Sequence, residues 1–329
     1  MKICITGAAG FIGSHLVDHF LQHNYSVVGL DNFSTGSRKN MESFLDNVNF
    51  TFLEGDIRNL DTCFTAVKDC EVVLHQAALG SVPRSIKNPI LTNEVNISGF
   101  LNVLEACRLS NVKRFIYAAS SSTYGDSKKL PKIEEEIGAP LSPYAITKYV
   151  NELLANVYSK TYGIECIGLR YFNVFGPRQS PTGAYAAVIP LWINNLMNQT
   201  APTINGDGLN SRDFTYVDNV VLANSLAVTA GEEVFGEQLE HKSKSQVFNV
   251  ACGERTSLND LYRLIKTAIT AEMSELRVIK PIFGPNREAD IPHSLANIDK
   301  ARNFLKYEPV VNVETGIYKT CSWFLKEND

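Results

Sequence analysis

The sequence has no apolar run near the roughly 18 residues that a membrane-spanning helix requires, and its composition has no excess of positive charge. Lysine and arginine total 31 against 35 aspartates and glutamates, whereas a protein that binds duplex nucleic acid normally presents a basic face. The opening segment MKICITGAAG has neither the long apolar stretch nor the cleavage site of a signal peptide, and it favours a β-strand. We therefore expect a cytoplasmic protein that binds neither a membrane nor nucleic acid.

Closely spaced cysteines are also missing. The chain has seven cysteines, an odd number, and none belongs to a Cys-x-x-Cys pair. Such a dispersed set favours reduced thiols over a disulfide framework or a zinc site. His15, His19 and His23 recur every four residues along the first predicted helix, but no water-activating glutamate accompanies them. We interpret this row as a partly solvated helix face and predict no metal site.

The length and pattern of the chain indicate its fold class. A chain of 329 residues, 44% of them hydrophobic, can bury a large core in one big domain or two closely joined ones. Short β-branched runs alternate with amphipathic stretches as far as residue 170, which predicts an α/β fold with a doubly wound parallel sheet. The predicted strands are KICIT, SVVGL, NFTFLEG, EVVLH, KRFIYAAS and IECIGLRY, and the predicted helices span 12–23, 60–68, 89–109 and 143–160.

The pattern loosens after residue 175, where proline and glycine become frequent in segments such as FGPRQSPTGA and NGDGLNSRD. We expect a smaller, mixed α/β lobe there, covering the carboxyl edge of the sheet. The predicted division assigns 1–175, rejoined by 213–252, to the sheet domain, and 176–212 with 253–329 to the lobe. Residues 231–246 are polar and aperiodic, which predicts an exposed excursion.

Three glycines lie between the first predicted strand and the first predicted helix. Gly7, Gly10 and Gly13 allow a tight turn, a close approach of the backbone to a diphosphate, and close packing of helix against strand. The N-terminus of that helix offers free N–H groups and the positive end of its dipole to phosphates. Because these glycines occur in a strand–turn–helix context, they predict a dinucleotide cofactor.

Asp31 closes the second predicted strand, 18 residues after Gly13. A carboxylate at this place can accept both ribose hydroxyls of NAD and repels the additional phosphate of NADP. Arg38 lies nearby and argues the other way, because an arginine can bind that phosphate. On balance the pattern predicts NAD.

Tyr144 and Lys148 are four residues apart in SPYAITKYV and share one face of a predicted helix. A free tyrosine has a pKa near 10 and is a weak base at neutral pH. We expect a neighbouring ammonium and an oxidised nicotinamide to lower the pKa of this phenol. Tyr144 could then remove a proton from a substrate hydroxyl while the adjacent carbon gives its hydride to NAD.

Several motifs together carry a resemblance to a known family. TGAAGFIG, LDNFSTG, SSSTYGD, SPYAITKY, LRYFNVFGPR and NGDGLNSRDFTYVDN resemble the extended short-chain dehydrogenase/reductase family, and within it the nucleotide-sugar 4-epimerases. HQAALGSVPRS, YAASSSTYGD and GAYAAVIP are most similar to the UDP-N-acetylhexosamine (UDP-N-acetylglucosamine) 4-epimerases. The resemblance implies a Rossmann domain that binds NAD, a lobe that binds a UDP-sugar, and a homodimer formed through helices 89–109 and 143–160.

The resemblance also implies roles for individual residues. Ser120, Tyr144 and Lys148 would form the catalytic set. The residues implied to bind NAD are Gly7, Gly10, Phe11, Ile12, Gly13, Asp31, Asn32, Ser34, Thr35, Gly36, Asp56, Ile57, Ala77, Ala78, Asn96, Tyr144, Lys148 and Tyr171. Those implied to bind the UDP-sugar are Gly80, Ser81, Ser120, Ser121, Ser122, Phe172, Asn173, Ala187, Val188, Trp192, Asn205, Arg212, Arg287, Asp290 and Ser294.

The segment before Tyr124 distinguishes sister chemistries. The 4,6-dehydratases and the decarboxylating members of the family that this chain resembles share an acidic residue there. This sequence has Ser121, Ser122 and Thr123 instead. Hydroxyls can hydrogen-bond a sugar but cannot act as that acid or base at neutral pH. This favours a 4-epimerase, which inverts one carbon with no net redox change.

The substrate and two other classes of function stay open at this stage. UDP-N-acetylglucosamine, its uronic acid and UDP-glucose are all candidates, and the small Ser294 favours a pocket that admits an acetamido group. A plain nucleotide-sugar dehydrogenase would consume NAD in turnover. A non-catalytic NAD-sensing relative would be expected to lack the tyrosine or the lysine, and both are present.

Overall fold

A seven-stranded parallel sheet forms the centre of the protein. The structure is a computed structural model that describes residues 1–181, 186–235, 243–273, 279–285 and 291–328. The sheet strands are β1 (Lys2–Thr6), β2 (Ser26–Asp31), β3 (Phe50–Glu54), β4 (Val72–His75), β5 (Arg114–Ser120), β6 (Glu165–Tyr171) and β11 (Ser245–Val250). Their order is β11-β6-β5-β4-β1-β2-β3, so the direction of winding reverses between β1 and β4.

The helices that cover the two faces follow the strands in sequence. They are α1 (Phe11–Gln22), α2 (Leu60–Val67), α3 (Val82–Lys87), α4 (Pro89–Asn93), α5 (Phe100–Leu109), α6 (Pro143–Tyr162) and α8 (Val217–Thr229). A π-helical turn over Glu94–Gly99 joins α4 to α5. The predicted helix over 89–109 is therefore continuous but contains an underwound, π-helical segment.

These elements confirm the predicted α/β fold with a doubly wound parallel sheet. All six predicted strands are present, with bounds within one residue of the prediction. Both faces of the sheet are buried under apolar side chains, as a parallel sheet requires. The strands therefore have nearly continuous hydrophobic sequences that are easy to recognise.

The smaller lobe contains α7 (Val188–Met197), α9 (Leu258–Glu272) and α10 (Val313–Asn328) with several very short strands. β8 (Thr203–Asn205) pairs with β13 (Ile282–Gly284), β9 (Ser211–Arg212) with β12 (Thr256–Ser257), and β7 (Val174–Phe175) with β10 (Thr215–Tyr216). Trp192, Ile265 and Ile317 pack in its own apolar core. β11 lies beside β6, so a segment after this lobe's first helix returns to the main sheet.

The histidine row on α1 makes ordinary local contacts. His15 Nε2 is 3.0 Å from Pro177 O, His19 Nε2 is 3.1 Å from Ser225 Oγ, and His23 Nδ1 is 2.7 Å from His19 O. The cysteines are free thiols. Within the described ranges, no helix is long and apolar enough to cross a bilayer. Only part of the predicted 231–246 excursion is described, since 236–242 lie outside the described residues.

Candidate active site

The glycine turn after β1 brings three backbone segments into close contact. A Cβ on Gly13 would lie 1.9 Å from Gly7 O, and one on Gly7, whose φ is +72°, would lie 2.9 Å from Ala77 N. Gly10 is the N-cap of α1, and no side chain caps that helix end. The N-terminal N–H groups are thus left to an anion, and the residues fit the diphosphate of NAD.

The second strand delivers Asp31 to a cavity of about 190 Å³ beside this turn, which we call the Asp31 cavity. The carboxylate is fixed by two backbone donors, Ala9 N at 3.0 Å and Phe33 N at 2.7 Å. Burial raises the pKa of Asp31, and these N–H groups act in the opposite direction. The predicted NAD residues that line the Asp31 cavity are Gly7, Asp31, Asn32, Ser34, Thr35, Asp56, Ile57, Ala77 and Ala78.

Arg38, the residue that favoured NADP, forms an ion pair within the protein. Its Nη2 is 2.6 Å from Glu54 Oε2, and its guanidinium lies 4.4 Å from the centre of the Phe33 ring. Glu54 ends β3 and pairs in register with Asp31. The guanidinium therefore already has a carboxylate partner, which weakens the argument for NADP.

Ser120, Tyr144 and Lys148 meet where β5 ends and α6 begins. Ser142 caps α6 by accepting a hydrogen bond from Ala145 N at 3.1 Å, and this fixes the first turn that carries Tyr144. The Lys148 ammonium donates to Ala118 O at 2.7 Å and lies 6.0 Å from the centre of the Tyr144 ring. All three predicted catalytic residues line one cavity of about 430 Å³, which we call the Tyr144 cavity.

Burial is the main influence on the acid–base properties of this set. Burial raises the pKa of Tyr144, while its hydrogen bond with Ser120 lowers that pKa. Burial lowers the pKa of Lys148 to about 8, against a smaller opposing effect of Glu152. Desolvation outweighs the hydrogen bond with Ser120, so the protein groups alone do not lower the pKa of the phenol.

Two further cavities adjoin the Tyr144 cavity. The Trp192 cavity, of about 290 Å³, is lined among others by the predicted substrate residues Asn173, Ala187, Val188, Trp192, Asn205 and Arg212. The Ser294 cavity, of about 380 Å³, is lined among others by Ser121, Ser122, Phe172, Asn173, Arg212 and Ser294. Asn173 lines all three, and Ala78 lines both the Tyr144 and the Asp31 cavities. Shared lining residues thus link the four cavities, which together we call the cleft.

The remaining predicted residues have varied places. Those that line the Tyr144 cavity are Phe11, Ile12, Ala78, Gly80, Ser81 and Tyr171. Gly36 packs against Ala9, where a Cβ would lie 2.8 Å from a backbone carbon. Asn96 is buried behind the cleft and exchanges hydrogen bonds with the backbone of Leu79. Arg287 and Asp290 lie outside the described residues.

Three cleft residues were not singled out from the sequence. Gln76 accepts a hydrogen bond from Tyr171 Oη at 3.1 Å and lines the Tyr144 cavity. Gln179 lines both the Tyr144 and the Trp192 cavities, and Lys132 lines the Ser294 cavity. Gln76 directly precedes Ala77 and Ala78, two residues predicted to bind NAD, and this position could have indicated its role. Lys132 lies in a polar loop with no comparable signal.

This fold and this cleft are those of a dinucleotide-dependent enzyme with a buried tyrosine–lysine pair. Residues 3–251 match the NAD dependent epimerase/dehydratase family, so the chain belongs to that family and its cofactor is NAD. It is 36% identical over 326 residues to the UDP-glucose 4-epimerase of Mycolicibacterium smegmatis, with 98% of each chain covered.

Two solved structures are also similar over their whole length. The UDP-N-acetylglucosamine 4-epimerase of Methanobrevibacter ruminantium, solved with UDP-N-acetylmuramic acid, is 35% identical with a TM-score of 0.89, and 99% and 98% of the two chains are covered. The UDP-glucuronic acid 4-epimerase of Bacillus cereus, solved with UDP-glucuronic acid and NAD, is 32% identical with a TM-score of 0.86, and 99% and 100% are covered.

Proposed function

We propose that the protein inverts carbon 4 of a UDP-hexose, with UDP-N-acetylglucosamine and UDP-N-acetylgalactosamine as the pair that it interconverts. The observation that carries this proposal is the meeting of Ser120, Tyr144 and Lys148 in a cavity that shares Ala78 with the Asp31 cavity and Asn173 with the Ser294 cavity. The names of the relatives support a UDP-sugar 4-epimerase. They include different sugars, so the choice of sugar depends on the cleft.

The proposed chemistry is a proton transfer coupled to a reversible oxidation. NAD, held by residues of the Asp31 cavity, would supply the group that can accept a hydride from carbon 4 and give it back. Tyr144 accepts the proton of the 4-hydroxyl, and its hydrogen bond with Ser120 favours the phenolate. The same phenol then returns the proton after the keto sugar has turned its other face. Lys148 provides positive charge nearby, held in place by Ala118 O.

The sugar must turn while the nucleotide stays bound. We infer that the Trp192 cavity holds the UDP part and that Arg212, which lines both this cavity and the Ser294 cavity, binds the diphosphate between them. The Ser294 cavity then holds the sugar. Its 380 Å³ leave room for the ring to turn, and its serine hydroxyls can bind either face of the ring.

The small size of Ser294 supports the choice of the N-acetylated pair. Ser294 lies on the wall of the Ser294 cavity, and its backbone N–H donates to Ser211 O at 3.0 Å. A bulky side chain there would narrow the space for an acetamido group. Ser294→Tyr should therefore lower kcat/KM for UDP-N-acetylglucosamine and UDP-N-acetylgalactosamine much more than for UDP-glucose and UDP-galactose.

Ser294→Ala is the matched control, because it removes the hydroxyl without adding volume and should leave the preference between the two pairs unchanged. Interconversion of each pair is followed by NMR in all three proteins. An equal loss for both pairs in Ser294→Tyr, or no loss for the N-acetylated pair, would remove Ser294 from this role.

We further propose that 1–175 with 213–252 act as the NAD-binding domain, and that two chains pair through α4–α5 and α6. Exposed apolar side chains on these helices support the pairing: Ile90, Leu91, Leu109, Ile146, Leu153 and Val157. Burying such a surface favours association. Sedimentation equilibrium should give a dimer that Val157→Glu with Leu153→Lys dissociates, and a monomeric parent protein would refute the pairing.

A further inference from the structure

Lys132 is a buried cation on the wall of the Ser294 cavity. Only 4% of the residue is exposed, although lysine is among the residues least often buried. Its backbone forms an isolated parallel bridge with Ala296, donating to Leu295 O at 2.7 Å and accepting from Asn297 N at 2.9 Å. The chain that carries Ser294 therefore also fixes Lys132.

The ammonium of Lys132 has no carboxylate partner within the described residues. Its one side-chain hydrogen bond there is donated to the backbone oxygen of Ser127, so two of its three donors are unused. Glu134, the buried carboxylate two residues on, accepts from Asn249 N at 2.8 Å and forms no ion pair with Lys132. Burial lowers the pKa of Lys132, and no neighbouring charge opposes this.

A buried ammonium without a counter-ion is unfavourable unless a ligand supplies the missing negative charge. Among the other buried cations, Lys148 donates to Ala118 O and lines the Tyr144 cavity. The two arginines have carboxylate partners in the protein: Arg170 is 2.7 Å from Glu152, and Arg114 is 2.7 Å from Glu165. Lys132 differs from the arginines because it faces a cavity. The described polar side chains that share this cavity with it are Ser121, Ser122, Tyr124, Ser142, Asn173, Arg212 and Ser294, none of which is a carboxylate.

We propose that Lys132 is the counter-ion of a carboxylate on the sugar, so that the protein also accepts UDP-hexuronic acids, N-acetylated ones included. This inference rests on the proposed function. The diphosphate is not the anion in question, since Arg212 lies where the Trp192 and Ser294 cavities meet and Lys132 lines the Ser294 cavity alone. A neutral hydroxymethyl or acetamido group could accept a hydrogen bond but would leave the charge unpaired.

The test compares substrates that differ only at carbon 6. The holoenzyme is assayed with UDP-N-acetylglucosamine against UDP-N-acetylglucosaminuronic acid, and with UDP-glucose against UDP-glucuronic acid. Lys132→Met, of similar length and without charge, should lower kcat/KM for each acid at least about 10-fold more than for its neutral partner, since charged hydrogen bonds are the strong ones. Lys132→Arg keeps the positive charge and should retain the parent's ratio of kcat/KM between acid and neutral sugars. This variant still tests the proposal if Lys132→Met does not fold.

Lys300→Met is the matched control. Lys300 is bonded to Glu135 at 3.0 Å and lies 5.5 Å from the Phe248 ring, outside the cavity lining, so removing its charge should affect both sugars equally. Equal losses for acid and neutral sugars in Lys132→Met would make Lys132 a structural residue and overturn the proposal. A parent enzyme that epimerises only the neutral sugars would also overturn this proposal, and it would leave the proposed function intact. Failure to epimerise any of the four would refute the proposed function itself.

Discussion

Tyr144 is the single residue on which the proposed chemistry depends. Its phenol is buried in the Tyr144 cavity, and Ser120 hydrogen-bonds it. Tyr144→Phe removes one oxygen and retains the ring, so the fold and NAD retention should stay intact while turnover falls at least about 100-fold, the usual effect of losing a positioned acid or base.

Tyr149→Phe, on the next turn of α6 and outside the lining of the cleft, is the control and should retain turnover. Initial rates are compared with the nucleotide content of each denatured protein. If Tyr144→Phe kept near-normal turnover with NAD bound, another group would have to accept the proton.

At the level of residues, the sequence identified groups whose signal is local. Tyr144 and Lys148 are close because they are one helical turn apart, and Asp31 ends a strand that was recognisable. The ion pair of Arg38 with Glu54 joins the segment after β2 to the end of β3 and could not be foreseen. The raised pKa of Tyr144 also depends on burial by distant segments.

At the level of elements, the turn between β1 and α1 tolerates no side chain on Gly13. A methyl group there would overlap Gly7 O, at 1.9 Å, so Gly13→Ala must displace the helix or the turn. We expect the free energy of unfolding to fall by about 2 kcal/mol, as overpacking typically does, and NAD retention to weaken.

Gly80→Ala is the matched control for stability, because a Cβ at Gly80 meets nothing within 4 Å. Thermal or denaturant unfolding of the three proteins measures the difference. A Gly13→Ala protein as stable as the parent would show that α1 can move away from β1 without loss.

Elements were predictable where their pattern is long and regular. The six strands and the long helices of the first 171 residues have apolar runs or amphipathic periods, and their bounds agree with the prediction. The strands of the small lobe have two or three residues each, which is too short for any period. The bridge between Lys132 and Ala296 joins loops far apart in sequence, so only the fold reveals it.

For the whole molecule, Asp213 connects segments that are far apart in sequence. Its carboxylate is fully buried and accepts hydrogen bonds from Cys252 N at 3.0 Å, Gly253 N at 3.1 Å and Ala296 N at 3.2 Å. Burial raises the pKa of Asp213 to about 7, against the opposing effect of these donors.

A pKa raised on folding has a defined effect on stability. Between the ordinary carboxyl pKa of 3.8 and about 7, the folded protein binds a proton at Asp213 that the unfolded chain does not. The stability linked to this proton is present below that range and is lost as the pH rises through it. The stability of the parent relative to Asp213→Asn, which cannot titrate, should therefore decrease from pH 5 towards about 7.

Urea unfolding of both proteins at several pH values in this range measures that difference. If the parent instead became more stable relative to Asp213→Asn as the pH rises, the three N–H donors would outweigh burial and keep the carboxylate charged.

In the proposed catalytic cycle, the hydride leaves carbon 4 of the sugar and returns to the same carbon. The most direct measurement supplies UDP-N-acetylglucosamine deuterated at carbon 4 in ordinary water and examines the epimeric product by NMR and mass spectrometry. Our account predicts UDP-N-acetylgalactosamine that keeps its deuterium at carbon 4, with no net change in NAD. Loss of the deuterium to solvent, or release of a keto sugar with accumulation of reduced cofactor, would contradict it.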